Sequence, residues 1–294
     1  MAGSGQIRQL RRRIKSVKST QKITRAMEMI AASRIMKAQR RVAEARPYAE
    51  QIHDVIRGLA ASDVVADHPL MSEHENVERV GIIIATSDRG LAGAYNANVL
   101  KVADNLIRRE EEEGHEVQLF LVGRKSEGYF KYRGRTPAKL WTGVSDQPHY
   151  QDARDIAELV MDAYIEGHLH RVWLVYTDFK SSLTQVPHHM RLLPVEAQEF
   201  EGGQEIPPEF MFEPEPDDIL SLLIPRYVEA KVFHGLLESA ASEHASRQRA
   251  MKAATDNAND VVNKLSRVMN QARQDQITTE ISEIVGGAEA LSNG

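Results

Sequence analysis

Two long segments, one at either end, constrain the fold of this chain more than anything between them. From Gln6 to about Leu59 the only glycine is Gly58 and the only proline is Pro47, while Ala, Arg, Lys, Gln, Met and Ile dominate. From about Asp217 to Leu291 a similar composition returns, with Pro225 in the first turns and "VGGAEALSNG" closing the chain. Such residues favour helix, with a bend expected at Pro47. A single helix of that length is marginal in water unless a partner covers its apolar stripe, so the two must supply each other's cover.

Both segments carry a heptad seam. In the first, Ile7, Leu10, Ile14, Val17, Gln21, Thr24, Glu28, Ala31, Ile35, Ala38, Val42 and Ala45 alternate at spacings of three and four. In the second, Met251, Ala254, Ala258, Val261, Leu265, Val268 and Ala272 do the same. An antiparallel pair with facing numbers adding to about 275 sets Leu10 on Leu265, Ile14 on Val261, Val17 on Ala258 and Thr24 on Met251. It also sets Glu28 opposite Arg247, an ion pair that would mark the register. Residues Arg273 to Leu291 then lack a partner and overhang by roughly 28 Å. Ile281, Ile284, Val285, Ala288 and Leu291 form a stripe on that overhang, which another protein must cover.

The middle of the chain has another rhythm. "RVGIIIATS" (79–87), "VQLFLVG" (117–123) and "RVWLVYT" (171–177) are apolar runs of strand length, and "LTQVPHHMRLLPV" (183–195) is a fourth strand interrupted by Pro187. Helical stretches at 92–113 and 151–167 lie between them. Alternation of this kind predicts a mostly parallel sheet covered by helices. The fold class is therefore α/β plus coiled coil: long N- and C-terminal helices in an antiparallel coiled coil, with a Rossmann-like α/β domain inserted between them. Boundaries fall at 1–60, 75–200 and 210–294. "RREEEEG" (108–114) reads as a solvated helix end, and 202–218 as a proline-rich connector.

Chemistry-bearing motifs are sparse. There is no cysteine, which excludes disulfides, thiolate metal sites and thiol nucleophiles and suits a reducing compartment. No phosphate-binding loop of the G-x-x-x-x-G-K-[ST] type occurs, and "SDRGLAG" (87–93) reads as a tight strand-to-helix turn. His168, His170, His188 and His189 lack metal-ligand spacing and read as surface residues. No apolar run is long enough to span a bilayer. Charge is distributed unevenly: residues 1–46 hold 13 Lys or Arg against two acids, and the remainder holds 24 against 40. A basic helix invites a nucleic-acid scaffold reading, yet aromatics for stacking are absent before Tyr48 and an acidic protein partner suits a rigid rod better. A small α/β enzyme with oligomerisation arms is a further alternative.

"IKSVKSTQKITRAMEMIAASRIMKAQ" (14–39) and "ITTEISEIVGGAEA" (277–290) resemble the terminal helices of the gamma subunit of F-type ATP synthases, and "SDRGLAG" and "ASRQRAMKAATDNA" (245–258) resemble its other blocks. The resemblance covers essentially the whole chain. It implies a rotor shaft that couples rotation of the membrane c-ring to the catalytic beta subunits in ATP synthesis and proton transport. It implies no catalytic residue, cofactor or metal in this chain. The implied partners are the alpha and beta subunits, the epsilon subunit and the c-ring, with no nucleic acid and membrane association only through the complex, at the cytoplasmic face of a bacterial cell membrane. By the same resemblance Met27, Arg247, Arg273, Gln274, Thr278 and Glu280 touch the alpha/beta hexamer, and Phe210 and Glu213 lie at the c-ring and epsilon end. Leu10, Ile14, Val17, Glu28, Ala258, Val261 and Leu265 are the seam residues. Ala92 stands where many members have cysteine, and a chain without cysteine lacks the dithiol switch of chloroplast members.

Overall fold

The structure is a computed structural model that describes residues 2–60, 68–200 and 216–292. Helix α1 runs Ala2–Ala60 and the last helix, α5, runs Pro216–Ser292, so both terminal segments are single helices that continue through Pro47 and Pro225. Between them lie β1 (Arg79–Ala85), α2 (Tyr95–Glu112), β2 (Glu116–Val122), α3 (Arg124–Tyr132), β3 (Lys139–Trp141), α4 (Tyr150–Ile165), β4 (Arg171–Phe179) and β5 (Gln185–Leu193). The chain forms two compact units, one of residues 1–30 with 248–294 and one of residues 31–247.

In the larger unit the sheet order is β3-β2-β1-β4-β5. The first four strands are parallel, and β5 joins β4 antiparallel at one edge. The unbroken apolar run of β1 suits a strand covered on both faces. Ile82 and Ile84 face α2 and α3 with Val99, Ala103, Leu106 and Phe130, while Ile83 and Ala85 face a second layer with Ile156 and Val160 of α4. Ile52, Ile56 and Leu59 of α1 and Ile224, Val228, Val232 and Leu236 of α5 complete that layer. Pro187 is tolerated because β5 is an edge strand and pairs only with β4. α3 and β3, absent from the expected elements, are too short to show a period in the sequence.

In the smaller unit the expected α1 seam is present. Ile7, Leu10 and Thr24 are buried, and Ile14, Val17, Gln21 and Glu28 are half-buried. The α5 seam differs from expectation: Met251, Thr255 and Ala258 are buried, and Val262, Leu265, Met269 and Ala272 follow half-buried, whereas Val261 is 38% exposed and Val268 is exposed. The register differs as well. The hydroxyls of Thr24 and Thr255 lie 2.7 Å apart, and the Gln21 amide donates to the Asn259 side chain, so facing numbers add to 279 or 280, one helical turn beyond the expected value. Polar side chains that bond each other across the seam select one register among apolar matches of similar quality. On this count Leu10 faces Met269 and not Leu265. The pair of Glu28 with Arg247 is also replaced: Glu28 accepts from Arg25 on its own helix at 3.1 Å, and Arg247 bonds Glu243 at 2.6 Å.

In a chain free of native cysteine, Thr24→Cys with Thr255→Cys is expected to cross-link under mild oxidation, and Thr24→Cys with Met251→Cys is not; non-reducing electrophoresis separates the two. A second expectation concerns Gly123, at φ 93°, where an added Cβ would run into the Thr86 carbonyl. Gly123→Ala should cost about 2–4 kcal/mol in urea denaturation.

Candidate functional surface

The exposed face of α1 in the smaller unit is strongly basic. Arg8, Arg11, Arg12, Arg13, Lys15, Lys18, Lys22 and Arg25 are all exposed around the helix, because the seam takes only one face. Ile23, Met29 and Ile30 are more than half exposed on the same helix. An apolar residue at a non-seam heptad position is the sequence signal for these three. Met27 is half-buried beside them.

On α5, Arg273, Gln274, Thr278 and Glu280 are all exposed. The Thr278 hydroxyl donates to the Gln274 carbonyl at 3.0 Å, and Glu280 accepts from Gln276 at 2.7 Å, so these side chains are held against their own helix. At 100° per residue, Arg273, Ile277, Glu280 and Ile284 share one face, and Gln274, Thr278, Ile281 and Val285 share the next. Ile277, Ile281, Ile284 and Val285 are 45–73% exposed. Ala272 and Gln276 are half-buried, and among the described residues nothing covers the stripe of Ile277, Ile281, Ile284 and Val285. Phe210 and Glu213 lie outside the described residues.

Arg247, expected at a partner surface, is only 7% exposed. Its Nη2 donates to Glu243 Oε1 at 2.6 Å and lies 3.3 Å from the carbonyl oxygens of Arg89 and Gly90, in the "SDRGLAG" turn. Asp146, in the loop after β3, accepts from Arg34 at 2.5 Å and lies 3.5 Å from Arg89 and 4.0 Å from Arg247. This partly buried network ties two loops of the sheet's carboxyl edge to α5. Burial pushes Asp146 upward, but Arg34, Arg89 and His244 outweigh it and hold the carboxyl below its usual value. Burial raises Glu243 to about 7 in spite of Arg247, and lowers His244.

The turn itself is held by its own polar groups. Ser87 donates to the Arg89 carbonyl at 2.6 Å, and Asn96 accepts the Ser87 amide at 2.9 Å. The Asp88 carboxylate accepts the amides of Gly143 at 2.8 Å and of Arg124 and Ser145 at 3.3 Å each. These bonds tie the turn to the loops after β2 and β3. Two other expectations change. Glu110, within the supposedly solvated "RREEEEG", is fully buried and held by Arg109, His115 and Arg171. His188 and His189 are half-buried against Tyr176 and Trp173, and the His170 ring accepts the Glu78 amide at 2.9 Å, so only His168 is a surface residue. Among the described residues Glu110, Glu113 and His115 are close enough for a metal, but Arg109 and Arg171 already neutralise Glu110. No helix of the described residues is long and apolar enough to cross a membrane.

Glu243 has a pH consequence. Its folded-state value is raised above the ordinary 4.5, so the folded chain holds this proton more tightly than the unfolded chain. The resulting stability is complete below about pH 4.5 and is lost as pH rises through about 7, a change on the order of 3 kcal/mol. Urea denaturation of wild type and Glu243→Gln across this window should show wild type losing stability relative to the variant as pH rises.

Residues 6–291 match the family described as ATP synthase. The chain is 48% identical over 303 residues to the ATP synthase gamma chain of Saccharopolyspora erythraea, covering 98% of each, and 50% identical over 298 residues to that of Frankia casuarinae, covering 99% of each. Its fold is similar to that of a chain in the rotor of the Euglena gracilis mitochondrial ATP synthase, at a TM-score of 0.61 and 16% identity, over 93% of this chain and 99% of that one. Nothing in these relatives supports the nucleic-acid scaffold reading.

Proposed function

The chain belongs to the ATP synthase gamma chain family, and on that premise we propose that it is the central rotor shaft, turning with the membrane c-ring and imposing conformations in turn on the catalytic beta subunits. The observation that carries this reading is the uncovered stripe of Ile277, Ile281, Ile284 and Val285. An apolar helix end of this kind is stable only inside a surrounding protein, and the alpha/beta hexamer is the partner that encloses it. Arg273, Gln274, Thr278 and Glu280 border the stripe and are assigned to the hexamer contact. The basic face of α1 is attracted to acidic loops of the beta subunits without tight interdigitation, which lets the two surfaces slide. Met27 is assigned to the same contact. Arg247 is closed in by its own chain and acts there through the Arg89–Leu91 turn that it holds.

The division of labour follows the three segments: 1–60 and 210–294 make the shaft, and 75–200 makes the domain that meets the epsilon subunit and c-ring, with Phe210 and Glu213 assigned to that end. The chain is a component of ATP synthase, and we assign it no catalytic step and no cofactor: coupling works because a beta subunit with several conformations responds to the face of the shaft it meets. It belongs to a membrane-associated complex, and we place it peripherally at the cytoplasmic face of the bacterial cell membrane. The test is co-expression with alpha and beta subunits. Ile281→Asp with Ile284→Asp, at exposed positions that leave the chain folded, is expected to lower ATP hydrolysis by about tenfold or more or to abolish assembly. Undiminished assembly and hydrolysis would overturn the reading, as would ATP turnover by the chain alone.

A further inference from the structure

Arg247 faces two carboxylates and satisfies only one. Its Nη2 bonds Glu243 Oε1 at 2.6 Å and reaches the carbonyl oxygens of Arg89 and Gly90 at 3.3 Å. Its Nη1 lies 4.0 Å from Asp146 Oδ1. That oxygen is buried and accepts no hydrogen bond, while Oδ2 takes Arg34 at 2.5 Å and lies 3.5 Å from Arg89. A buried acceptor left open beside a charged donor is an unfilled seat, costly where it stands and able to repay a small movement of the guanidinium.

We infer that Arg247 is a two-position arginine. It sits on Glu243 while that carboxylate is ionised, and it turns to Asp146 Oδ1 when Glu243 takes a proton from solvent, letting go of the Arg89 and Gly90 carbonyls as it turns. Arg247 keeps its own charge throughout, and the proton resides on Glu243. The turn at 87–93 is thereby clasped to α5 in one state and released in the other.

The groups that face Glu243 decide which acid changes state. From α5 itself comes Arg247, from the start of α2 comes Tyr95, and from the loop after β3 come Ser145 and Asp146, while Arg89 of the turn and His244 of α5 act on Asp146. Arg34 of α1 reaches the cluster through Asp146. Thr177 of β4 and Ser239 of α5 lie beside the Tyr95 hydroxyl, next to Glu243. Asp146 is served by Arg34 and Arg89 and stays ionised; Glu243 has one arginine and a second carboxylate for neighbours, with 1% of its surface exposed. Burial raises Glu243 to about 7, which sets the changeover in the range where small pH differences act. The inference does not depend on which partner the chain meets.

Hydrogen exchange of the purified full chain tests it, with each peptide's rate divided by its unfolded intrinsic rate at the same pH. Between about pH 8 and about pH 6, wild-type protection at residues 89–92 should fall several-fold while residues 156–164 of α4 stay unchanged. Glu243→Gln, a neutral mimic of the protonated acid, should show the low-pH level at both values. Asp146→Asn removes the charged second seat and should hold the high-pH level at both, so it carries the test if the Gln variant does not fold. Absence of a pH effect in wild type, or the full wild-type effect in either folded variant, overturns the inference.

Discussion

Each terminal helix has an apolar stripe that it cannot leave in water, and the rest of the molecule depends on how those stripes are covered. In the unit of residues 1–30 and 248–294 the cover is one helix on another, with no third layer among the described residues, so a side chain is either in the seam or exposed. This explains why bases can crowd the outer face of α1 without cost to packing. Ile7 and Leu10 of α1 and Met269 and Ala272 of α5 supply apolar surface to the seam, and the Thr24–Thr255 and Gln21–Asn259 pairs provide discrimination between neighbouring registers.

The same two helices serve differently in the unit of residues 31–247. There Ile56 and Leu59 of α1 and Val228 and Val232 of α5 act as part of one layer over a sheet, packed with α4. Close approach is built in: a Cβ at Gly235 would lie 2.8 Å from Leu174 Cδ2 of β4. Polar residues then take over at the carboxyl edge of the sheet, where Asp88 gathers loop amides and Arg247 gathers loop carbonyls. A shaft that carries torque needs stiff joints, and a buried charge network is stiff while every member is paired. The open oxygen of Asp146 is the place where that network has slack.

Buried charge also separates two kinds of acid that look alike in the sequence. Glu110 lies in a run of four glutamates and is the one turned inward to Arg171. Glu243 lies in an alanine- and serine-rich stretch and shares one arginine with Asp146. Neither environment follows from neighbouring residues, since the partners come from strands, loops and helices distant in the chain.

Composition and spacing alone determined that the ends are helices, that α1 carries its seam at Ile7 through Ala45, that strands alternate with helices between, and that the last turns of α5 carry an uncovered apolar stripe. These are properties of periodicity, which a helix or strand expresses wherever it lies. The motifs in 14–39 and 277–290 were enough for the family. Tertiary structure decided the rest: which residue stands opposite Thr24, that Val262 and Met269 displace Val261 and Val268, that Glu28 pairs within its own helix, and that Arg247 is buried. A heptad repeat defines a face but leaves the partner free to slide along it, because apolar contacts are nearly indifferent to a shift of one turn. Hydrogen bonds between particular side chains and the burial of particular charges are not indifferent, and they exist only once distant segments have met.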